Sequence, residues 1–170
     1  MPTTWSNNAI LSLKEFEELD GYVLDPFAGT GTVLLESIIN PYINRCALGV
    51  EINPLARLIT KVKTTLYDLD RLDMCFKKIE GTFKILSRND FERMEFPNIE
   101  MWFSNNAIEK LSKLKYAITQ QRFSRDYKDF FWVCFSRIIR RVAKADPRIP
   151  PPVILKPDKY KNNLTVTKSW

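Results

Sequence analysis

Asp25-Pro26-Phe27-Ala28-Gly29-Thr30-Gly31-Thr32 is the stretch on which the reading of this chain turns. Just before it, Tyr22-Val23-Leu24 is a short apolar run with a β-branched member, bounded by Gly21 and Pro26, which predicts a buried strand. Just after it, Val33 to Ile39 has the composition of a helix, stopped by Asn40-Pro41. The octapeptide is therefore a strand-to-helix turn. Its two glycines let the backbone approach a ligand and adopt conformations that other residues resist. The helix start at Thr32 or Val33 offers free N–H groups.

Further along, Cys46-Ala47-Leu48-Gly49-Val50-Glu51-Ile52 predicts a second buried strand. Asn53-Pro54 then opens a helix, with asparagine as N-cap and proline in first position, whose apolar face is Leu55, Leu58, Ile59 and Val62. Strand, helix, strand, helix is a βαβ unit of the doubly wound kind. An amphipathic helix over residues 10–19, ended by Asp20-Gly21, precedes it.

The guest of the turn follows from what is missing. The dinucleotide pattern G-x-G-x-x-G wants a third glycine where this chain has Leu34. No Gly-Lys-Ser/Thr follows, so it is not a phosphate-binding P-loop. A zwitterionic amino-acid tail fits better: its carboxylate can sit near backbone N–H donors while Asp25 faces its ammonium or sulfonium. Glu51, at the end of the next predicted strand, is placed to accept from both ribose hydroxyls of an adenosine ligand. A buried or capping role for Glu51 remains the alternative.

These residues carry a resemblance. The stretch 25–32 resembles motif I of amino-methylating DNA methyltransferases, which make N6-methyladenine or N4-methylcytosine. Gly49-Val50-Glu51-Ile52-Asn53-Pro54-Leu55-Ala56 resembles their motif II. The likeness is specific over about residues 21–65, and Trp102-Phe103-Ser104 is similar to a helical insert in some of these enzymes. It implies S-adenosyl-L-methionine as cofactor. Asp25, Phe27, Gly29 and Gly31 would hold the methionine moiety, with Pro26, Ala28, Thr30 and Thr32 completing the loop. Glu51 would hold the ribose, and Ile52 and Asn53 would flank the adenine. The fold implied is α/β: a Rossmann-like S-adenosylmethionine-dependent methyltransferase core, partial, with a helical insertion.

The same enzymes carry an Asp/Asn/Ser-Pro-Pro-aromatic tetrapeptide that holds the target amine and stacks on the flipped base. It is absent from these 170 residues. Pro150-Pro151-Pro152-Val153 lacks the polar lead and the aromatic, and Asp146-Pro147-Arg148 lacks the second proline. No catalytic residue is therefore assigned. The expectation is a chain that binds cofactor without turnover alone, completed by a missing C-terminal part or by a second polypeptide.

Beyond residue 65 the pattern turns helical. Leu69, Leu72, Phe76, Ile79, Phe83 and Leu86 fall at helical spacing, with Gly81 as a weak point. Ser104 caps a helix faced by Ala107, Ile108, Leu111, Leu114 and Ile118, and Phe130 to Val142 predicts another. The expected organisation is a cofactor-binding part over 1–65, a helical insertion over 66–146 and a Pro/Lys-rich tail or truncated continuation over 147–170.

Net charge is +6, unevenly spread. Residues 1–101 hold 11 basic and 15 acidic side chains, whereas residues 102–148 hold 11 and 4. That asymmetry points to a nucleic-acid partner, here DNA. Arg137, Arg140, Arg141 and Lys144 share one side of a helix by spacing and are candidate phosphate contacts. The same side equally fits the solvated back of a helix. Three dispersed cysteines and no histidine disfavour a disulfide scaffold and a metal site. No signal peptide or 18-residue apolar run is recognisable, so a cytoplasmic protein without membrane partner is expected. The leading function is the cofactor-binding part of a restriction–modification type DNA methyltransferase. The alternatives are an RNA guanine-N2 methyltransferase fragment and a catalytically inactive methyltransferase-fold DNA-binding subunit.

Overall fold

The structure, a computed structural model, describes residues 21–39, 45–145 and 154. The amphipathic stretch 10–19, the Asn40-Pro41 stop and all of the 147–170 tail but Ile154 lie outside the described residues. The fold is mixed α/β, and the chain divides into two compact units, residues 1–66 and 67–170.

Unit one is built on β1 (Gly21–Asp25) and β2 (Arg45–Gly49), which pair in parallel with Tyr22 opposite Cys46, Leu24 opposite Leu48 and Asp25 opposite Gly49. Helix α1 (Thr32–Ile38) makes the crossover from β1 towards β2, and α2 (Pro54–Lys63) follows β2. The predicted second strand ran to Ile52; it stops at Gly49 because its partner is exhausted at Asp25. The next residue, Val50, bonds instead into the turn: its N–H donates to the Asp25 carbonyl (2.9 Å) and its own carbonyl accepts from Ala28 N–H (3.0 Å). Gly49 matters here for lack of a side chain, since a Cβ would collide with Leu34 of α1.

Helix α2 begins as its sequence dictates. Asn53 Oδ1 accepts from the backbone N–H groups of Leu55 (2.9 Å) and Ala56 (3.3 Å), and Pro54 occupies the first turn, where no N–H is needed.

Unit two is helical: α3 (Leu69–Ile85), a 3₁₀ turn (Arg88–Asp90), α4 (Ile99–Trp102), α5 (Asn105–Thr119) and α6 (Arg125–Val142). Its core centres on α5, where Ile108, Leu111, Leu114, Ala117 and Ile118 are almost wholly buried against Ile79 of α3 and Phe131, Phe135 and Ile138 of α6. Helix α3 runs unbroken through Gly81, secured across the core by Gln121 Nε2 donating to Thr82 Oγ1 (2.9 Å). Ser104 caps α5 as predicted, its Oγ accepting from Ala107 N–H at 3.2 Å. Helix α6 begins five residues before the predicted Phe130, at Arg125, because its first turn is polar and carries no apolar periodicity. Among the described residues no helix is long and apolar enough to cross a membrane.

Candidate cofactor-binding site

The site forms where two parallel strands end. Register places Asp25 beside Gly49, so residues 25–28 and 49–53 emerge side by side at the carboxyl edge of the sheet. This is the edge at which open α/β folds receive their ligands. The turn is tightly determined. Asp25 Oδ1 accepts from Phe27 N–H (3.1 Å), and Gly31 N–H donates to the Ala28 carbonyl (2.7 Å). The backbone at Gly29 (φ 53°) and Gly31 (φ 73°) is left-handed, the region that favours glycine.

The two glycines differ in what surrounds them. A Cβ on Gly31 would lie 2.5–2.9 Å from the side-chain atoms of Thr60, so close helix packing excludes any larger residue. A Cβ on Gly29 would meet only the Phe27 carbonyl, 4.0 Å away, and otherwise open space. Gly31 serves the fold, then, and Gly29 presents bare backbone outward.

Across from the turn, Glu51 is partly buried and uses Oε1 to accept from Asn53 N–H (2.7 Å). That bond fixes the carboxylate beside the strand ends. The Asn53 side chain is committed to the cap of α2, which leaves its backbone to border the site. Phe27 and Ile52 are 90% and 92% exposed, an unusual position for large apolar side chains. Thr30 is exposed, and Ala28 is buried under the turn.

Two residues outside the sequence reading hold the loop. Thr60 Oγ1 donates to the Gly29 carbonyl (3.2 Å), and Lys63 Nζ donates to the Thr30 carbonyl (2.9 Å). Both come from α2, one turn apart, and tie the turn to side chains more than thirty residues later. Their three-residue spacing was visible; the loop they would reach was not.

The basic residues of α6 fare unequally. Arg137, Arg140 and Arg141 are exposed. Lys144 is drawn away: its N–H donates to the Trp102 carbonyl (2.7 Å) and its Nζ to the Glu100 carbonyl (2.8 Å), closing the end of α4.

The cofactor implied by the sequence can be tested against this arrangement. S-adenosyl-L-methionine needs uncluttered backbone for its amino-acid end, a carboxylate for its ribose and apolar surface for its adenine. Gly29 opens onto space, Glu51 is fixed, and Phe27 and Ile52 stand bare. The residues present fit the group.

Comparison with known proteins gives the same direction. The type II methyltransferase M.MvaI of Kocuria varians is 31% identical over 151 residues, which is 78% of this chain and 31% of that protein. The chain is a relative of the type II methyltransferases. A second methyltransferase, M.MjaII of Methanocaldococcus jannaschii, is 24% identical over 157 residues, 88% of this chain and 29% of its own length. This methyltransferase relative spans about a third of the length of the two curated proteins. Stretches of 151 and 157 residues exceed unit one, so the relationship extends into the helical unit. No family model matches the chain, and no solved structure matches it.

Proposed function

We propose that the chain binds S-adenosyl-L-methionine as the cofactor-binding part of a DNA methyltransferase that modifies an exocyclic amine, N6 of adenine or N4 of cytosine. The observation that carries this reading is the juxtaposition of the bare backbone at Gly29 with the fixed carboxylate of Glu51 at one sheet edge. Sequence relationship to two type II methyltransferases supports it. The partial sheet supports the Rossmann-like reading, in which β1 and β2 are the two strands that carry the cofactor.

The cofactor would supply an activated methyl group on its sulfonium. The chain's own residues would bind and orient it. Backbone N–H groups at the start of α1 would meet the carboxylate, and Asp25 would face the positive end. Glu51 would accept from the ribose hydroxyls, Phe27 would line the methionine end, and Ile52 and the Asn53 backbone would flank the adenine. Thr60 and Lys63 keep the loop in shape before any ligand arrives, which lowers the ordering cost of binding. The basic helical unit would meet DNA. The Asp/Asn/Ser-Pro-Pro-aromatic tetrapeptide, absent from these 170 residues, would be supplied by a further polypeptide segment.

Calorimetric titration with S-adenosyl-L-methionine tests the proposal. One-to-one saturable binding is expected, lost in Asp25→Ala and in Glu51→Ala while circular dichroism stays that of the parent. A folded chain that ignores millimolar cofactor, or variants that bind as the parent does, would refute it.

A further inference from the structure

The helical unit holds a basic pocket that the cofactor reading does not use. A cavity of about 170 Å³ lies between α3 and the α5–α6 turn, lined from α3 by Arg71, Cys75 and Lys78, from the turn by Arg122 and Ser124, and from the first turn of α6 by Tyr127. Arg71, Cys75 and Lys78 recur at four- and three-residue steps, so they share one face of α3. The turn opposite is fixed. Lys128 Nζ donates to the carbonyls of Thr119 and Gln121, and Gln121 donates to Thr82 of α3. The Arg71 guanidinium lies 5.1 Å from the Tyr127 ring centroid, and the Tyr127 hydroxyl accepts from Asp68 N–H at 3.3 Å.

Charge makes this pocket distinct. No carboxylate lines it, and among the described residues none pairs with Arg71, Lys78 or Arg122. The same helix neutralises its other lysines: Lys77 pairs with Asp73 at 2.6 Å and Lys84 with Glu80 at 2.8 Å. The cations of α3 are thus sorted, paired on the outer face and unpaired around the cavity. Three like charges around one small opening repel, and an anion between them relieves that repulsion. The pocket also receives the N-terminus of the 18-residue α6, whose Ser124 cap makes no side-chain bond. The positive end of the helix favours the same guest. Asp126, in that first turn, does not line the cavity.

Size limits the guest. Sites for whole cofactors usually hold about 300–1,000 Å³, so a cavity of this volume takes a group rather than a nucleoside. A phosphodiester meets the description, with two free oxygens for the guanidinium forks and one net charge for Lys78.

We propose that Arg71, Lys78, Arg122 and the N-terminus of α6 bind a backbone phosphate of duplex DNA. The inference rests on the reading of DNA as partner but not on the cofactor site. It gives position and affinity and no sequence reading.

Fluorescence anisotropy with labelled duplex DNA, over 50–200 mM salt, tests it. The variant Arg71→Gln/Lys78→Gln/Arg122→Gln is compared with Lys77→Gln/Lys84→Gln/Lys115→Gln, which removes the same charge elsewhere. The pocket variant is expected to bind roughly tenfold more weakly, equally for unrelated sequences, with a log K against log salt slope shallower by about one. The control should keep the parental slope. Equal losses in both would mean bulk charge alone, and the inference fails. It fails also if inorganic phosphate is held by the parent and not by the pocket variant, while both bind DNA alike; the pocket would then serve small anions. If the triple variant melts early, the single substitution Arg122→Gln, at an exposed side chain, is expected to weaken binding in the same direction by less, where Lys115→Gln does not. Cofactor binding without any DNA binding overturns this inference alone. DNA binding lost on substitution, in a chain that takes no cofactor, overturns the cofactor reading and leaves this one standing.

Discussion

Gly29 and Gly31 look interchangeable in the sequence, both part of one Gly-x-Gly turn, and the fold separates them. Both have positive φ, so alanine at either costs roughly 1 kcal/mol of backbone strain. Only at Gly31 would the added methyl also strike the Thr60 side chain at 2.5–2.9 Å. Gly31→Ala is therefore expected to cost about 2–3 kcal/mol in denaturant unfolding, and Gly29→Ala about 1 kcal/mol. Cofactor affinity should order them differently, because the methyl at Gly29 enters the space where a ligand would approach. Gly29→Ala should weaken binding at least tenfold in a chain that remains folded. Equal effects of the two substitutions on stability would mean that the close approach of Thr60 is not maintained in solution. The residue types at this turn were legible from their chemistry. The division of labour was not, since it depends on a helix that begins more than twenty residues later.

Helices and strands announced themselves where local chemistry and tertiary packing agree. Asn53-Pro54 states a helix start in two residues, and α2 starts there with both cap bonds made. The second strand was read too long, because Val50-Glu51-Ile52 continues the apolar run while register allows nothing beyond Gly49. Period alone cannot see where a partner strand ends. Helix α6 was read too short for the converse reason: Arg125, Asp126, Lys128 and Asp129 are helical, with no apolar stripe to mark them. The cap of α2 gives a prediction of its own. Asn53→Ala removes two bonds from the first turn and should lower stability by about 1 kcal/mol, whereas Asn53→Asp, which keeps the acceptor, should restore most of it. Cofactor affinity should change little with Asn53→Ala, since the donor that fixes Glu51 is the backbone N–H of residue 53, which alanine keeps. An Asn53→Ala protein with parental unfolding would show that α2 is held by packing and not by its cap.

Stability across the molecule is unevenly provided. The helical unit buries a continuous cluster centred on α5, with Ile79, Ile108 and Ala117 wholly inside. Unit one buries far less among the described residues: Ala28 and Leu34 are its buried apolar side chains. On its two-stranded sheet Tyr22, Leu24 and Leu48 remain 75%, 64% and 54% exposed. Parallel strands are normally covered on both faces, and a sheet of two with one face open has little to resist local opening. The proposed cofactor loop sits on the less stable part. Hydrogen exchange should therefore find amides of Ile108–Ile118 the slowest in the chain, and those of Val23, Leu24, Ala47 and Leu48 orders of magnitude faster. A ligand that binds the closed site alone shifts this by linkage, about 2.7 kcal/mol at a hundredfold excess over Kd, or roughly a hundredfold slower exchange. With S-adenosyl-L-methionine that slowing should spread through both strands and the turns 25–32 and 50–53, and leave α5 unchanged. Sheet amides already as slow as those of α5 without cofactor would mean that the open face is covered in solution, and cofactor would then add little protection to the strands.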